Sequence, residues 1–498
     1  MMTQWRKSMA VFKFFLPVSA FCTVLLYLAG CTVNPATGQQ QFTALMSPAQ
    51  EVQVGAQEHE KIAAMFAVDK ADPSLQSYVQ EIGNRLAANT ERGDVTYRFY
   101  ILDDAMVNAF AVPGGYIYVS RGLMAQANSE AELAGVIAHE IGHITGRHSA
   151  ERYSQGMLTS LGAVVLSAAL NSSTASQVAG LGSELYMRSY SRSQEHEADM
   201  LGVRYLSQAG YDPQGMAAFL ANLEQHSAFE ESLAGRGRQA QSFNYFSTHP
   251  LTSDRVTRTR AQAETSGAQD GHVGRDEYLR RLDGMIYGDS PRQGYARGTS
   301  FYHPEMDFTF TVPDGFRLIN QPHQVVATDQ PGTTIIVFDA APNDRRVDAY
   351  RYMTEIWMQG EALSQAERIE INGRAAATAS FPGKVNGQNV TIRIVAVEWA
   401  PNSFFRFQMA YPQGAGNTLV ERLRQTTYSL RTMNEREKRE IQPYRVRIVE
   451  ARAGDTVASL ARQMPFDSHQ QERFRALNNM RAGEPLLQGR LYKTVSTR

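Results

Sequence analysis

The feature that most constrains the fold of this chain is a five-residue motif, His139-Glu140-Ile141-Gly142-His143, inside an apolar stretch. Ser129 and Glu132 form a capping box that predicts the start of a helix ahead of the motif. Four apolar residues then recur at helical spacing: Leu133, Val136, Ile137 and Ile141. The sequence therefore places the motif on a helix that buries one face.

On such a helix His139 and His143 project from nearly the same side, about 6 Å apart along the axis. Two imidazoles at this spacing can bind one zinc ion in a tetrahedral arrangement. Glu140 follows the first histidine and can reach a water at the ion rather than the ion itself, so it can act as a general base and acid. The spacing predicts a catalytic zinc site, one per chain, with Glu140 as the catalytic carboxylate.

A catalytic zinc ion needs a third protein ligand. One known arrangement has a histidine six residues after the second motif histidine, but Ser149 stands there and His148 is one position short. On a continuing helix His148 faces away from His139, so we predict a surface histidine. The other arrangement uses an acid on a later helix, here within residues 195–199. Spacing alone leaves three candidates open: Glu195, His196 and Asp199.

Four motifs in order resemble the HtpX and CAAX-prenyl-protease type of zinc metallopeptidase, in its signal-bearing, BepA-like periplasmic branch. They are Asn108-Ala109-Phe110 with Pro113-Gly114-Gly115, His139 to His143, Ser191 to Asp199, and His249-Pro250-Leu251-Thr252-Ser253-Asp254-Arg255. The resemblance extends over residues 45 to 262. It implies a mainly helical gluzincin zinc-protease domain with a small β-sheet.

The resemblance also implies roles for residues that spacing left open. Glu195 is the implied third zinc ligand, and Asp199 the carboxylate that supports the site. His249 is implied near the metal, where it either stabilises the transition-state oxyanion or caps the zinc in a latent state. The strand of Tyr116, Ile117, Tyr118 and Val119 is the implied sheet edge to which an extended peptide adds. The alternative for this apolar strand is a place in the buried core.

The first thirty residues have the pattern of a secretory signal. Basic residues come first, a short apolar run follows, and no acid occurs before Glu51. The run is too short to span a membrane. It ends in Leu28-Ala29-Gly30-Cys31, which resembles a bacterial lipoprotein signal and implies cleavage before Cys31 and lipidation of that cysteine. Because Thr32 is not an aspartate, the resemblance favours an outer-membrane lipoprotein that faces the periplasm.

Composition excludes several other classes of protein. The chain has two cysteines, Cys22 and Cys31, which are too few for a disulfide framework or a thiolate zinc cluster. Any bound metal must therefore be held by histidine and carboxylate side chains. With 49 basic and 50 acidic residues, the chain lacks the basic excess that nucleic-acid binding requires.

The 498 residues are too many for one hydrophobic core, so we predict an α+β multidomain chain. The predicted parts are a signal peptide (1–30), a linker (31–46), a zinc metalloprotease domain (47–290), an α+β domain of unknown role (300–432) and a small module (441–498). In the last part Ala453-Gly454-Asp455-Thr456, Leu460-Ala461, Leu477-Asn478 and Leu487-Gln488-Gly489 resemble a LysM module of βααβ order. That resemblance implies peptidoglycan as a partner; the alternative is a small α/β cap.

We interpret the chain as a zinc metalloendopeptidase, lipid-anchored at the outer membrane, that cleaves misfolded or misassembled envelope proteins. The resemblance implies that substrate class, because zinc geometry indicates only amide hydrolysis. Two alternatives stay open. One is an envelope assembly or binding protein with a latent metal site, which His249 and the loop Ser232 to Ser242 could close. The other is a metal-dependent peptidoglycan hydrolase, suggested by the final module.

Overall fold

A computed structural model of the chain describes residues 31–66, 68, 72–169, 189–234, 245–250, 253–267 and 270–497. The predicted signal peptide, with Cys22, and most of the loop Ser232 to Ser242 lie outside the described residues. The rest is mixed α and β, with several sheets and separate hydrophobic cores. None of the helices that the structure describes is both long and apolar enough to cross a bilayer.

The N-terminal part is mainly helical and surrounds a small sheet. Its strands are β1 (Cys31–Val33), β2 (Gln40–Phe42), β3 (Arg98–Leu102), β4 (Ala109–Val112) and β5 (Tyr116–Ser120). Its helices are α1 (Pro48–Phe66), α2 (Pro73–Ala87), α3 (Arg121–Gln126), α4 (Glu130–Thr145), α5 (His148–Ala169), α6 (Arg192–Gln208), α7 (Gln214–Ala234), α8 (Tyr245–Thr248), α9 (Ser253–Thr265) and α10 (Arg275–Leu282). Every residue of α4 is buried, so this helix forms the centre of the N-terminal core.

The expectation of a linker over residues 31–46 is wrong. Strands β1 and β2 pair as an antiparallel hairpin, and the following residues lie against α5. The guanidinium of Arg147 donates to the Thr43 hydroxyl at 3.2 Å and to the Met46 carbonyl at 2.8 Å. The segment folds because polar side chains of the core complete its hydrogen bonds, which its own weakly apolar sequence does not indicate.

The expectation that Tyr116, Ile117 and Tyr118 lie on an edge strand is also wrong. Their strand, β5, is the central strand of a three-stranded sheet, parallel to β3 and antiparallel to β4. All five of its residues are buried, as in the alternative interpretation. The physical reason is a long-range pairing, because β3 adds beside β5 on the side away from the β4–β5 hairpin. The two edges of this sheet are β3 and β4.

The middle part consists of two antiparallel sheets and short helices. A three-stranded sheet holds β7 (Tyr295–Arg297), β8 (Ser300–His303) and β9 (Phe308–Thr311). A seven-stranded sheet holds β10 (Phe316–Gln321), β11 (Gln324–Asp329), β12 (Ile335–Pro342), β13 (Ser364–Ile371), β14 (Arg374–Val385), β15 (Gln388–Ala400) and β16 (Ser403–Pro412). Helices α11 (Ala349–Arg351), a π-helical turn (Tyr352–Trp357), α12 (Asn417–Tyr428) and α13 (Glu435–Glu440) complete this part.

The C-terminal module joins the N-terminal core instead of standing apart. Its elements are β17 (Tyr444–Glu450), α14 (Val457–Ala461), α15 (Gln470–Leu477) and β18 (Leu491–Ser496), and β17 also pairs with β6 (Ile286–Tyr287). Val446 and Leu491 belong to the same apolar core as α4. The buried ammonium of Lys493 donates to the carbonyls of Ala125, Gln126 and Ala127 at 2.6, 3.2 and 2.7 Å. These carbonyls lie just before α4.

Candidate metal centre

Two glycines let the motif helix α4 approach α6 closely. A Cβ atom added to Gly142 would lie 3.0 Å from the carbonyl oxygen of Ala198, and one added to Gly202 would lie 3.2 Å from the backbone nitrogen of His139. Larger residues at these positions would force the helices apart. The close packing brings the start of α6, with Glu195, within reach of both motif histidines.

Four side chains converge between these helices and the residue that follows α8. Candidate ligand atoms of His139, His143, Glu195 and His249 all lie within 4.8 Å of one another. The Nε2 atoms of His139 and His143 are 3.0 Å apart, and Glu195 Oε1 lies 3.4 Å from His143 Nε2 and 3.0 Å from His249 Nδ1. All four side chains are at least 98% buried. A buried set of imidazole nitrogens and a carboxylate fits a divalent transition metal.

Glu140 lies beside this group without a hydrogen bond of its own. Both of its carboxylate oxygens are buried and lack a hydrogen-bond partner in the structure. His249 Nε2 lies 3.4 Å from Glu140 Oε1. Burial raises the pKa of Glu140 above its usual value, although His249 and His139 oppose the rise. A carboxylate with a raised pKa can accept a proton during a reaction and release it afterwards.

The charges of the site hold Glu195 in its anionic form. Burial alone would raise the pKa of Glu195, but His249, His143 and His139 outweigh it and hold the pKa well below its usual range. For His143 burial dominates and holds the pKa well below the ordinary histidine value. A neutral imidazole and an ionised carboxylate are the forms in which these side chains bind a metal.

Arg255 is the residue of this site whose role the sequence did not predict. Its guanidinium lies 2.7 Å from Glu195 Oε2 and pairs with both oxygens of Asp199 at 2.7 and 2.9 Å. Asp199 in turn lies 2.9 Å from His139 Nδ1, on the ring edge away from the ligand cluster. The arginine ends the motif that begins at His249, and that pattern was the available signal. His196, by contrast, lies outside the cluster and faces Asp254.

His148 is buried, so the prediction of a surface histidine is wrong. The prediction assumed that the motif helix continues, but α4 ends at Thr145, with Gly146 as its cap and Arg147 at a φ of 53°. The chain therefore turns, and His148 begins α5 facing back toward α4. Its Nδ1 lies 2.8 Å from Nδ1 of His143, outside the ligand group but in contact with it.

The aromatic rings of Tyr190 and Tyr245 cover the cluster. Tyr190 stacks on His143 with ring centroids 3.6 Å apart, and Tyr245 stacks on His249 at 4.5 Å. The N–H of Tyr190 donates to the Thr248 carbonyl at 3.0 Å, which joins the two covering segments. Among the residues that the structure describes, this cover leaves the four candidate ligands without contact to solvent.

Strand β4 is the sheet edge nearest to the cluster. Ala111, Val112 and the turn at Pro113 line a small cleft together with His143 and Ile144. In the described residues β4 pairs with β5 on one side only. Strand β5, which the sequence analysis predicted to bind a peptide, lies between β4 and β3 and is paired on both sides.

Part of the chain is similar to known peptidases. Residues 73–263 match Peptidase family M48. A putative beta-barrel assembly-enhancing protease of Vibrio cholerae serotype O1 is 32% identical over 254 residues, which are 45% of this chain and 48% of that protein. The beta-barrel assembly-enhancing protease of Escherichia coli (strain K12) is 29% identical over 201 residues, 39% of each chain. The mitochondrial metalloendopeptidase OMA1 of Schizosaccharomyces pombe is 28% identical over 180 residues, 36% of this chain and 50% of that protein. The chain thus spans about half, or less, of these relatives' lengths.

Proposed function

Residues 73–263 match Peptidase family M48, and from this premise we propose that the chain is a zinc-dependent endopeptidase. The observation that carries the proposal is the buried cluster of His139, His143, Glu195 and His249 next to Glu140, whose carboxylate oxygens make no hydrogen bond in the structure. We assign His139, His143 and Glu195 as the ligands of one zinc ion. Asp199 and Arg255 support them through contacts with His139 and Glu195.

The proposed reaction is hydrolysis of a peptide bond. A zinc ion held by these residues supplies a Lewis acid for the scissile carbonyl. The Glu140 carboxylate takes a proton from the attacking water and passes it to the leaving amine nitrogen as the C–N bond breaks. The raised pKa of Glu140 suits both steps. His249, if it leaves the cluster, is placed to donate a hydrogen bond to the oxyanion.

We further propose β4, rather than β5, as the strand to which an extended substrate adds. This strand has an unpaired edge in the described structure and borders the cleft beside His143. A photoreactive residue introduced at Ala111 should crosslink to a bound casein peptide, and one at Tyr100 on the opposite edge should not. Equal crosslinking at both positions would contradict the assignment.

For location and substrate, we propose an outer-membrane lipoprotein, acylated at Cys31, that acts on unfolded or misassembled envelope proteins from the periplasmic side. The lipoprotein-like sequence at Cys31 supports the anchor. Two of the relatives are named for enhancing the assembly of β-barrels, which supports the substrate class. The β–α–α–β order of the C-terminal module is that of the LysM resemblance and supports peptidoglycan as a further partner.

The decisive experiment separates metal binding from cleavage. Glu140→Gln should retain zinc, measured by elemental analysis, and lose cleavage of casein by at least about 100-fold. Glu60→Gln is the matched control, because Glu60 is exposed on α1. Glu195→Ala should lose zinc. Undiminished cleavage by Glu140→Gln would refute its role, and full zinc occupancy in Glu195→Ala would refute the ligand assignment.

A second candidate function is an assembly or binding protein whose metal site is latent. The position of His249 favours it, since His249 Nδ1 lies 3.3 Å from His139 Nε2 and adds a fourth protein donor to the set. A catalytic zinc ion needs one open coordination position, which a fourth protein ligand fills. This candidate predicts stoichiometric zinc without cleavage in the wild type, and cleavage after His249→Ala. An active wild type that His249→Ala does not accelerate would exclude it.

A further inference from the structure

The N-terminal hairpin contacts the two helices that carry the metal centre, α4 at its end and α6 at Glu197. Asn34, which follows β1, is 1% exposed. Its Nδ2 donates to Glu197 Oε1 at 2.6 Å and to the Gly146 carbonyl, at the end of α4, at 3.4 Å. The Thr37 hydroxyl donates to the same Glu197 oxygen at 2.8 Å. Two donors of the hairpin thus fix one carboxylate of α6.

Glu197 connects the hairpin, through His148, to the candidate zinc ligand His143. Its second oxygen, Oε2, lies 3.4 Å from His148 Nε2. His148 Nδ1 is hydrogen-bonded to His143 Nδ1 at 2.8 Å, while His143 Nε2 faces the ligand cluster. The series therefore runs from Asn34 and Thr37 through Glu197 and His148 to His143.

Only one placement of protons satisfies every contact in this series. A histidine that binds a metal through Nε2 carries its hydrogen on Nδ1, so His143 donates to His148 Nδ1. His148 then carries its own hydrogen on Nε2, the nitrogen that lies 3.4 Å from Glu197 Oε2. The other oxygen of Glu197 accepts from Asn34 and Thr37. Each donor faces an acceptor, and the lone pair of His143 Nε2 is left for the metal.

We propose that Asn34 and Thr37 of the hairpin, acting through Glu197 and His148, are positioning residues of the metal centre. They fix the tautomer and the ring orientation of His143, as Asp199 and Arg255 do for His139. The proposal rests on the proposed function, because it takes His143 as a zinc ligand. Under this proposal residues 31–42 help to position a zinc ligand, although they precede the segment that matches the peptidase family.

The test measures zinc affinity of the full mature chain by competition with a chromophoric chelator. Thr37→Val and Glu197→Gln should each weaken zinc binding about 10- to 100-fold, the range found when a partner of a metal-ligating histidine is removed. Thr37→Ser keeps the hydroxyl and should restore wild-type affinity. Thr32→Val is the matched control, because the Thr32 hydroxyl bonds to Thr43 within the same hairpin and does not contact Glu197.

Two further measurements separate positioning from a merely structural role. Asn34→Asp keeps the acceptor for the Ala36 N–H but sets a carboxylate against Glu197, so it should weaken zinc binding at least as much. In a Glu197→Gln background, Thr37→Val should add less than about a twofold loss, since the hydroxyl acts through Glu197. Thermal unfolding of the metal-free proteins shows whether each variant folds.

The outcomes distinguish this proposal from the one on which it rests. Weakened zinc binding in folded Thr37→Val and Glu197→Gln, with non-additive effects, supports the positioning role. Wild-type affinity in Glu197→Gln and Asn34→Asp, or fully additive losses, overturns it while the zinc site stands. A wild-type chain that binds no zinc overturns both proposals.

Discussion

Replacing Lys493 with methionine should destabilise the N-terminal part of the protein by about 3 kcal/mol, although residue 493 lies more than 300 residues after the motif helix. Its ammonium is fully buried and donates to the three consecutive carbonyls of residues 125–127, just ahead of α4. Methionine fills much of the same volume but donates no hydrogen bond. The three carbonyls lose a buried donor whose pKa burial lowers to about 7, and the buried Glu132 loses a neighbouring amine that opposes the rise of its own pKa.

The size of the effect follows from these contacts. A hydrogen bond to a charged group contributes about 1.5 to 3 kcal/mol, and such contributions are not additive. Removing one partner of a buried charged pair costs about 3 to 5 kcal/mol, part of which is offset because the ammonium no longer has to be desolvated. A loss of about 3 kcal/mol corresponds to a melting temperature lower by about 6 to 12 °C for a unit of this size.

Calorimetry and tryptophan fluorescence together make the assay specific. Of the three tryptophans, Trp357 and Trp399 lie in the middle part, and Trp5 lies in the predicted signal peptide. Fluorescence of the mature chain therefore reports the middle part, whereas calorimetry also records the N-terminal part. Lys493→Met should lower only the transition that fluorescence does not report. Lys61→Met, at a side chain that is 58% exposed, is the control. A shift below about 2 °C, or an equal shift of both transitions, would refute the reasoning.

Two further predictions concern other buried charges. Arg255→Lys should weaken zinc binding about 10- to 100-fold, because lysine cannot reproduce the paired contacts with Asp199 and Glu195; unchanged affinity in chelator competition would contradict this. Burial lowers the pKa of His303 to about 4, so between pH 6.5 and 4 the unfolded chain binds a proton that the folded chain excludes. Stability of the middle part should therefore fall by up to about 3 kcal/mol as the pH drops through this range, measured by tryptophan-detected denaturation. His303→Phe should flatten that dependence, and a profile as steep as the wild type's would contradict the prediction.

Local patterns in the sequence predicted the local features of the site well. The motif helix is capped by Ser129 as predicted, and it carries both histidines toward one cluster, because capping and helical periodicity depend only on neighbouring residues. Spacing could not choose among Glu195, His196 and Asp199, since that choice depends on how α6 lies against α4. The family resemblance selected Glu195, which the structure places in the cluster.

The errors arose where contacts join residues that are distant in the sequence. Strand β5 became central because β3 pairs with it in parallel, and no local pattern reveals such a partner. His148 is an exception with a local cause, because Arg147 adopts a positive φ, which ended the helix that the prediction had continued. The pairing of β17 with β6 and the contacts of Lys493 likewise depend on tertiary packing alone.

The hairpin has a consequence for where the proposed peptidase can act. Asn34 is the third residue after Cys31, a span of at most about 11 Å, and it touches the end of the motif helix. A lipid on Cys31, as proposed, would therefore connect the metal centre to the bilayer through a very short segment and keep it close to the membrane surface. Encounters would then take place in a thin layer at the membrane surface. Polypeptides held in that layer would meet the enzyme at a high local concentration, while chains diffusing freely through the compartment would seldom reach it.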